Sequence, residues 1–404
     1  MKILQINTVY GRGSTGKIAK GIHDACQKTG DTCITAYRYH EDKKRIPEDS
    51  MAVSSWWDCH MHNRVAKYTL LQGCFSQIRT RVFLRNVRRY TPDIIHLHNL
   101  HGSYINLKLL FSYIRKNKIP VVWTLHDCWA FTGYCPHYTI AGCDEWKTGC
   151  NRCKEYKPKV PVKHNVIGWM WRKKKSWITG IEDMILVTPS QWLNEQVQQS
   201  FLSKYRTRII YHGIDLDVFK PTESDFRERY NIPESKHIIL GVAFDWNYRK
   251  GLDVFIEMST RLDLELYQIV LVGTNAEVDK TLPESILSIH RTTDQKELAA
   301  IYSAADLFVN PTREEMFGLV NVEANACGTP VVTFRTGGSP ECIDSTSGAV
   351  VECNDVDALE KEIVRICTEK PYSREACVQR AKQFEQVERF AEYVGLYKGM
   401  TERQ

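Results

Sequence analysis

The sequence predicts an α/β protein built from two doubly wound Rossmann-like domains that face a common cleft. Three observations predict it. The 404 residues suffice for about two domains, each with a full core. Short, continuous apolar runs alternate with helix-like stretches, the pattern of parallel strands covered on both faces. The alternation occurs as two series of similar size, one in each half.

In the first half the strand-like runs are 2–7, about 32–37, 92–98, 120–126 and 184–190. In the second they are 208–213, 237–243, 267–273, 306–310 and 329–334. These runs give an N-terminal domain over 1–200, a C-terminal domain over 201–372 and a helical segment, 373–404, able to cross back to the first. The stretch 127–162 is too long for a connector and must carry something.

With 43% hydrophobic and 25% charged residues, the composition is that of a globular protein. No apolar run approaches the ~18 residues of a membrane span, and "MKILQINTVYG" reads as a first strand, so a cytoplasmic location is expected. Charge is unevenly shared. Residues 1–200 carry 30 Lys and Arg against 15 Asp and Glu, and residues 201–404 carry 24 against 33. A basic first half points to something anionic there. "WMWRKKKSW" at 169–177 and "RTRVFLRNVRR" at 79–89 are the expected contacts with an anionic membrane surface.

The glycines of "NTVYGRGSTGKIAKG" (7–21) fit two phosphate-binding fingerprints in part. The P-loop reading needs a hydroxyl after Lys17 and finds Ile18. The dinucleotide reading needs an acid closing the second strand, where "CITAYRYH" has none. What survives is a glycine turn opening a helix, a place for an anion, so Gly13 and Gly16 are expected to face a phosphate-bearing ligand. A turn that simply needs glycine is the structural alternative.

"NPTREEMFGLVNVEANACGTPVV" (310–332) is the decisive stretch. A strand ends, a loop delivers Glu315, and Phe317, Gly318, Leu319 and Val320 open a helix containing Glu323. A helix start of this kind suits a diphosphate, and Glu323 suits ribose hydroxyls. The segment resembles the signature of retaining glycosyltransferases of family 4, which have the GT-B fold: E-x-F-G-x-x-x-x-E, then A-x-x-x-G-x-P-V-V. Further matches follow in order: "PDIIHLHN", "TLHD" (124–127), "VTPSQWL", "GIDLDVFKP", "RKG" (249–251) and "TGGSPE".

The resemblance implies sugar transfer from a nucleotide-diphospho-sugar to a glycan or lipid-linked saccharide, with retention of anomeric configuration, in cell-surface polysaccharide synthesis. It implies that Lys250 neutralises the diphosphate, backbone amides of 317–320 bind it, Glu323 holds the ribose, Glu315 orients the sugar, and His126 with Asp127 reaches the sugar from the first domain. No metal is implied for catalysis. Two departures stand out. No Arg precedes "RKG" between 241 and 248, leaving Arg249 as the candidate substitute, and the usual "NG(V/I)D" reads His212-Gly213-Ile214-Asp215.

Five of the 14 cysteines crowd into 128–153. Cys135, Cys143, Cys150 and Cys153, ending in C-x-x-C, suggest a structural zinc, with free thiols or a labile disulfide as alternatives. Rival readings are a zinc-containing nucleic-acid-binding protein, a P-loop enzyme, a sugar phosphorylase and a non-catalytic GT-B partner subunit. The first leaves 315–332 unexplained, and no nucleic-acid partner is expected. The enzyme is expected to work peripherally on the inner face of the cell membrane.

Overall fold

The computed structural model describes residues 1–39, 47–153, 155–157, 159 and 165–402. It divides into two compact units, one of Met1–Tyr211 with Val387–Gln404 and one of His212–Gln386. The first boundary thus lies beyond residue 200, and the second unit runs past 372. The helical segment expected over 373–404 is split, with Arg374–Ala381 in the second unit and nearly all of Gln386–Thr401 in the first.

The first unit is built on a seven-stranded sheet in the order β3-β2-β1-β4-β5-β6-β7, with every pairing parallel. Its strands are β1 (Lys2–Asn7), β2 (Thr32–Tyr37), β3 (Ser50–Ala52), β4 (Ile94–Leu97), β5 (Val121–Thr124), β6 (Met184–Thr188) and β7 (Arg206–Ile209). The run at 208–213, read as opening the second domain, instead overlaps the edge strand of the first sheet. Ile3, Ile22, Ile94, Val122 and Val187 form one core with Phe390, Tyr393 and Tyr397 of the C-terminal helix.

The second unit has a six-stranded parallel sheet, order β10-β9-β8-β11-β12-β13. Its strands are β8 (His237–Val242), β9 (Tyr267–Val272), β10 (Ile286–Ile289), β11 (Leu307–Asn310), β12 (Val331–Phe334) and β13 (Gly348–Val351). In each order the numbering reverses beside the first strand of the series, at β1/β4 and at β8/β11. Ligands gather at such switch points, beyond the carboxyl ends of the strands. The ends of the second unit are tied together: Ile214 N–H donates to Phe384 O, and Gln386 N–H to Ile214 O, both at 2.9 Å.

Candidate functional site

In the second unit β11 ends at Asn310, and a loop leads to the helix Leu319–Ala326. Gly318 precedes that helix at φ 106°, and the helix has no side-chain cap. Gly337 is the tighter constraint. At φ 52°, a Cβ there would lie 1.6 Å from the carbonyl oxygen of Glu315, which also accepts from Gly338 N–H at 3.1 Å. A buried polar network braces the helix start. Asn310 Nδ2 donates to Asn321 Oδ1 (2.8 Å), Asn321 Nδ2 to Ser339 Oγ (2.8 Å), and Ser339 Oγ lies 2.7 Å from Thr333 Oγ1.

The predicted charged residues converge here. Lys250 Nζ lies 2.7 Å from Glu315 Oε2, both side chains half-buried. Burial pushes the Glu315 carboxyl up, but the charge and hydrogen bond of Lys250, the Met316 N–H and the charge of Arg249 outweigh it, so it titrates below its ordinary range. Arg249 thus acts on the same carboxylate as Lys250. His212, the departure from the family pattern, packs edge-on against Phe317, with ring centroids 5.9 Å apart. Burial drives its pKa down to about 4, with Glu315 pulling the other way.

Arg313 was not singled out in the sequence. Its guanidinium binds both oxygens of Asp253 at 2.7 and 2.8 Å and lies 3.8 Å from the Tyr248 ring centre. Its backbone N–H donates to Arg249 O at 2.8 Å, fixing the turn that presents Arg249 and Lys250. On the helix, Glu323 Oε2 accepts from the hydroxyl of fully buried Tyr302 at 3.2 Å.

In the first unit Gly16 packs against the preceding turn: its Cβ would meet Gly11 N at 3.3 Å, while a Cβ at Gly13 would meet nothing within 4 Å. The helix Gly13–Lys28 that they open also lacks a side-chain cap. His126 and Asp127 follow β5, and they part company. Asp127 Oδ2 pairs with His101 Nε2 at 2.8 Å, and Oδ1 accepts from Trp129 N–H at 2.8 Å. Burial raises the Asp127 pKa, but His101 and the Trp129 N–H outweigh it and keep the group ionised. His126 Nε2 instead lies 3.1 Å from His98 Nδ1.

The cysteines of the long loop carry free thiols. Among the described residues no group of three or more His, Cys, Asp or Glu side chains is placed to hold one metal ion. Two sulfurs do accept backbone N–H groups, Cys150 from Gly133 (3.2 Å) and Cys153 from Tyr156 (3.4 Å). Part of that loop, at 154, 158 and 160–162, lies outside the described residues.

The basic surfaces need one correction. In the helix Val166–Ile178, Lys174 is 0% exposed, its ammonium donating to Trp129 O and lying 3.9 Å from the Trp129 ring centre. Met170 and Trp171 are buried too, while Trp169, Arg172, Lys175 and Ser176 of the same run are exposed. The helix Gln77–Tyr90 does expose Arg79, Arg81, Arg85, Arg88 and Arg89, with Ile78 75% exposed among them. The preceding helix, Trp56–Thr69, exposes Trp56, Met61 and Tyr68, and Trp57 to 74%. Sequence reading missed this helix. Among the described residues no helix is long and apolar enough to cross a membrane.

The family profile described as "Glycosyltransferase Family 4" matches residues 63–218, and "Glycosyl transferases group 1" matches 236–369. The chain belongs to the family 4 glycosyltransferases. This glycosyltransferase is 25% identical over 382 residues to the putative colanic acid biosynthesis glycosyl transferase WcaC of Escherichia coli K12, covering 88% of each chain. Among solved structures, sucrose-phosphate synthase from Thermosynechococcus elongatus gives a TM-score of 0.73 at 19% identity, covering 100% of both chains. Anabaena Alr3699/HepE in complex with UDP and glucose gives 0.67 at 15%, covering 99% of this chain and 100% of that one. These two likenesses give the glycosyltransferase its GT-B fold.

Proposed function

We propose that this glycosyltransferase moves a sugar from a nucleotide-diphospho-sugar to a glycan or lipid-linked saccharide acceptor, with retention of configuration, in cell-surface polysaccharide synthesis. The observation that carries the reading is the Lys250–Glu315 pair, 2.7 Å apart, beside an uncapped helix start that leads to Glu323. Lys250 and Arg249 supply positive charge for the diphosphate, the amides of Phe317–Val320 receive its oxygens, and Glu323 takes the ribose hydroxyls. Glu315, ionised and anchored by Lys250, orients the donor sugar. His126, with Gly13 and Gly16, serves the sugar and phosphates from the first unit. Asp127 holds His101 and the Trp129 backbone, which makes it a support for the strand end. The leaving diphosphate is stabilised by fixed donors, with no metal in the catalytic step.

The donor class is supported by the Anabaena structure with UDP and glucose, and the pathway by the name of the Escherichia coli relative. A thermal-shift screen against UDP-, GDP- and ADP-sugars tests it, since a ligand of the native state raises the melting point. The product anomer, read by NMR, tests retention. Failure of every donor to bind overturns the reading, and donor binding without transfer to any saccharide acceptor points to a non-catalytic subunit.

We assign the acceptor to the cytoplasmic face of an anionic membrane. The support is two successive helices: Trp56–Thr69, which exposes Trp56, Trp57 and Met61, and Gln77–Tyr90, which has no acid and exposes five arginines with Ile78. A structural zinc on Cys135, Cys143, Cys150 and Cys153 is a separate proposal that rests on their spacing in the sequence; the described side chains are not gathered for it, and no step depends on it. Elemental analysis of reduced protein is expected to find about one zinc per chain, lost in Cys150→Ser/Cys153→Ser.

A further inference from the structure

Arg313 lies on the loop that follows β11, two residues before Glu315, and is only 8% exposed. Four of its five N–H groups are committed. Nε donates to Asn354 Oδ1 at 2.6 Å, Nη1 to Tyr248 O at 2.5 Å and to Asp253 Oδ1 at 2.7 Å, and Nη2 to Asp253 Oδ2 at 2.8 Å. The guanidinium also lies over the Tyr248 ring, 3.8 Å from its centre. With its charge matched by Asp253 and its donors taken, Arg313 is not the cation that meets a diphosphate.

Most of those contacts fall on one short stretch. Tyr248 opens the turn Tyr248–Lys250, and Asp253 stands in the first turn of the helix Leu252–Arg261 that follows it. The guanidinium thus grips the turn from both ends, and the backbone N–H of Arg313 grips its middle, at Arg249 O. Gly251 lets the two segments close up: at φ 74°, a Cβ there would lie 2.4 Å from Pro311 O. On its other side the loop is pinned by Thr336 Oγ1, which donates to Arg313 O at 2.9 Å. Lys250 and Glu315 are therefore carried by two segments that Arg313 joins. Lysine cannot do this. Its ammonium has no planar fork for Asp253, no Nε for Asn354 and no face to lay on Tyr248.

We propose that Arg313 is a positioning residue, a clamp that holds Arg249 and Lys250 at the distance from Glu315 where together they receive the donor's diphosphate. This rests on the reading that the Lys250–Glu315 pair serves the donor, and extends it: the cations are set in place before the donor arrives, by a side chain that does not touch it. Charges fixed in advance need no reorganisation on binding, so the clamp acts on affinity.

Arg313→Lys tests it in the whole protein by two measurements. The first needs no ligand: Glu315 is titrated by carboxyl ¹³C NMR, its signal assigned with Glu315→Gln. Burial is the largest influence on that carboxyl, and Lys250, the Met316 N–H and Arg249 outweigh it. Once the turn is released the cations move off, and the Glu315 pKa is expected to rise. The second is calorimetry with inorganic pyrophosphate, which carries the diphosphate without a base; its affinity is expected to fall about tenfold. Asp253→Asn, at a half-exposed position, opens the same clamp from its other side and should act in the same direction. Arg227→Lys is the control. It loosens another ion pair of this unit, Arg227 Nη2 to Asp306 Oδ2 at 2.8 Å, and should move neither reading. An unchanged Glu315 titration in both Arg313→Lys and Asp253→Asn overturns the clamp, and so does an equal change in Arg227→Lys. A raised pKa with unchanged pyrophosphate affinity overturns its role in donor binding. The titration is read without donor, so failure of the clamp is distinguishable from failure of the transferase reading.

Discussion

The two units share an all-parallel architecture and place different side chains at their strand ends. In the second, net acidic over its length with 18 Lys and Arg against 30 Asp and Glu, the site gathers cations: Lys250 on Glu315, Arg249 beside it, and Arg313 beneath the turn. In the first, with 36 against 18, the strand ends hold a cluster of imidazoles, of which fully buried His96 is pushed well below its ordinary range by burial, and the arginines line the helix Gln77–Tyr90. Bulk charge therefore says little about local chemistry.

The largest test of that contrast removes the charged pair. Lys250→Ala and Glu315→Gln are each expected to lower transfer on the order of a hundredfold or more, read as kcat/KM with the cognate donor. Lys250→Ala should mostly weaken donor binding, and Glu315→Gln should mostly lower kcat. Wild-type rates in both variants would break the comparison at its centre. A smaller effect belongs to the ribose contact. Glu323→Ala is expected to weaken donor affinity about tenfold, and Tyr302→Phe, which removes only one hydroxyl from that carboxylate, less than threefold, both by calorimetry.

On the first unit, reversing Arg79, Arg81 and Arg85 to Glu is expected to cut sedimentation with anionic vesicles severalfold and abolish its salt dependence, leaving transfer to a soluble acceptor intact. Equal binding to neutral vesicles would sink the membrane assignment. Smallest is a pH effect that spans both units. Burial pushes His62 of the first and His212 of the second each down to about 4, below the ordinary value of about 6.5. Each is neutral when folded and takes up a proton on unfolding within that window, so stability rises with pH from about 4 to about 6.5. His212→Asn, restoring the amide usual in the family, should remove part of that slope and leave the part due to His62, measured as Tm against pH.

The long apolar strands were legible because parallel sheets bury both faces of a run. β10 (ILSI), β13 (GAVV) and β3 (SMA) were not: each is short, and polar or small residues interrupt the signal. β7 (RTRI) alternates as an edge strand does, and nothing local says which sheet an edge joins. Glu315, the 317–320 turn and Glu323 came into view through one contiguous motif and the family resemblance it carries, since one loop and one helix hold them. Arg313 and the Asn310–Asn321–Ser339–Thr333 network could not, because their partners come from four separate segments.

The joined ends of the second unit carry a consequence for how such enzymes diversify. Because Ile214 is bonded to both Phe384 and Gln386, the chain leaves for that unit and returns from it at one place. Residues 212–386 are thus an insertion with neighbouring ends, the arrangement in which a module can be exchanged at two cuts without rerouting the host. Recombination between relatives at those two points would swap one set of strand-end loops wholesale while leaving the other untouched, so two specificities can drift independently within a single gene.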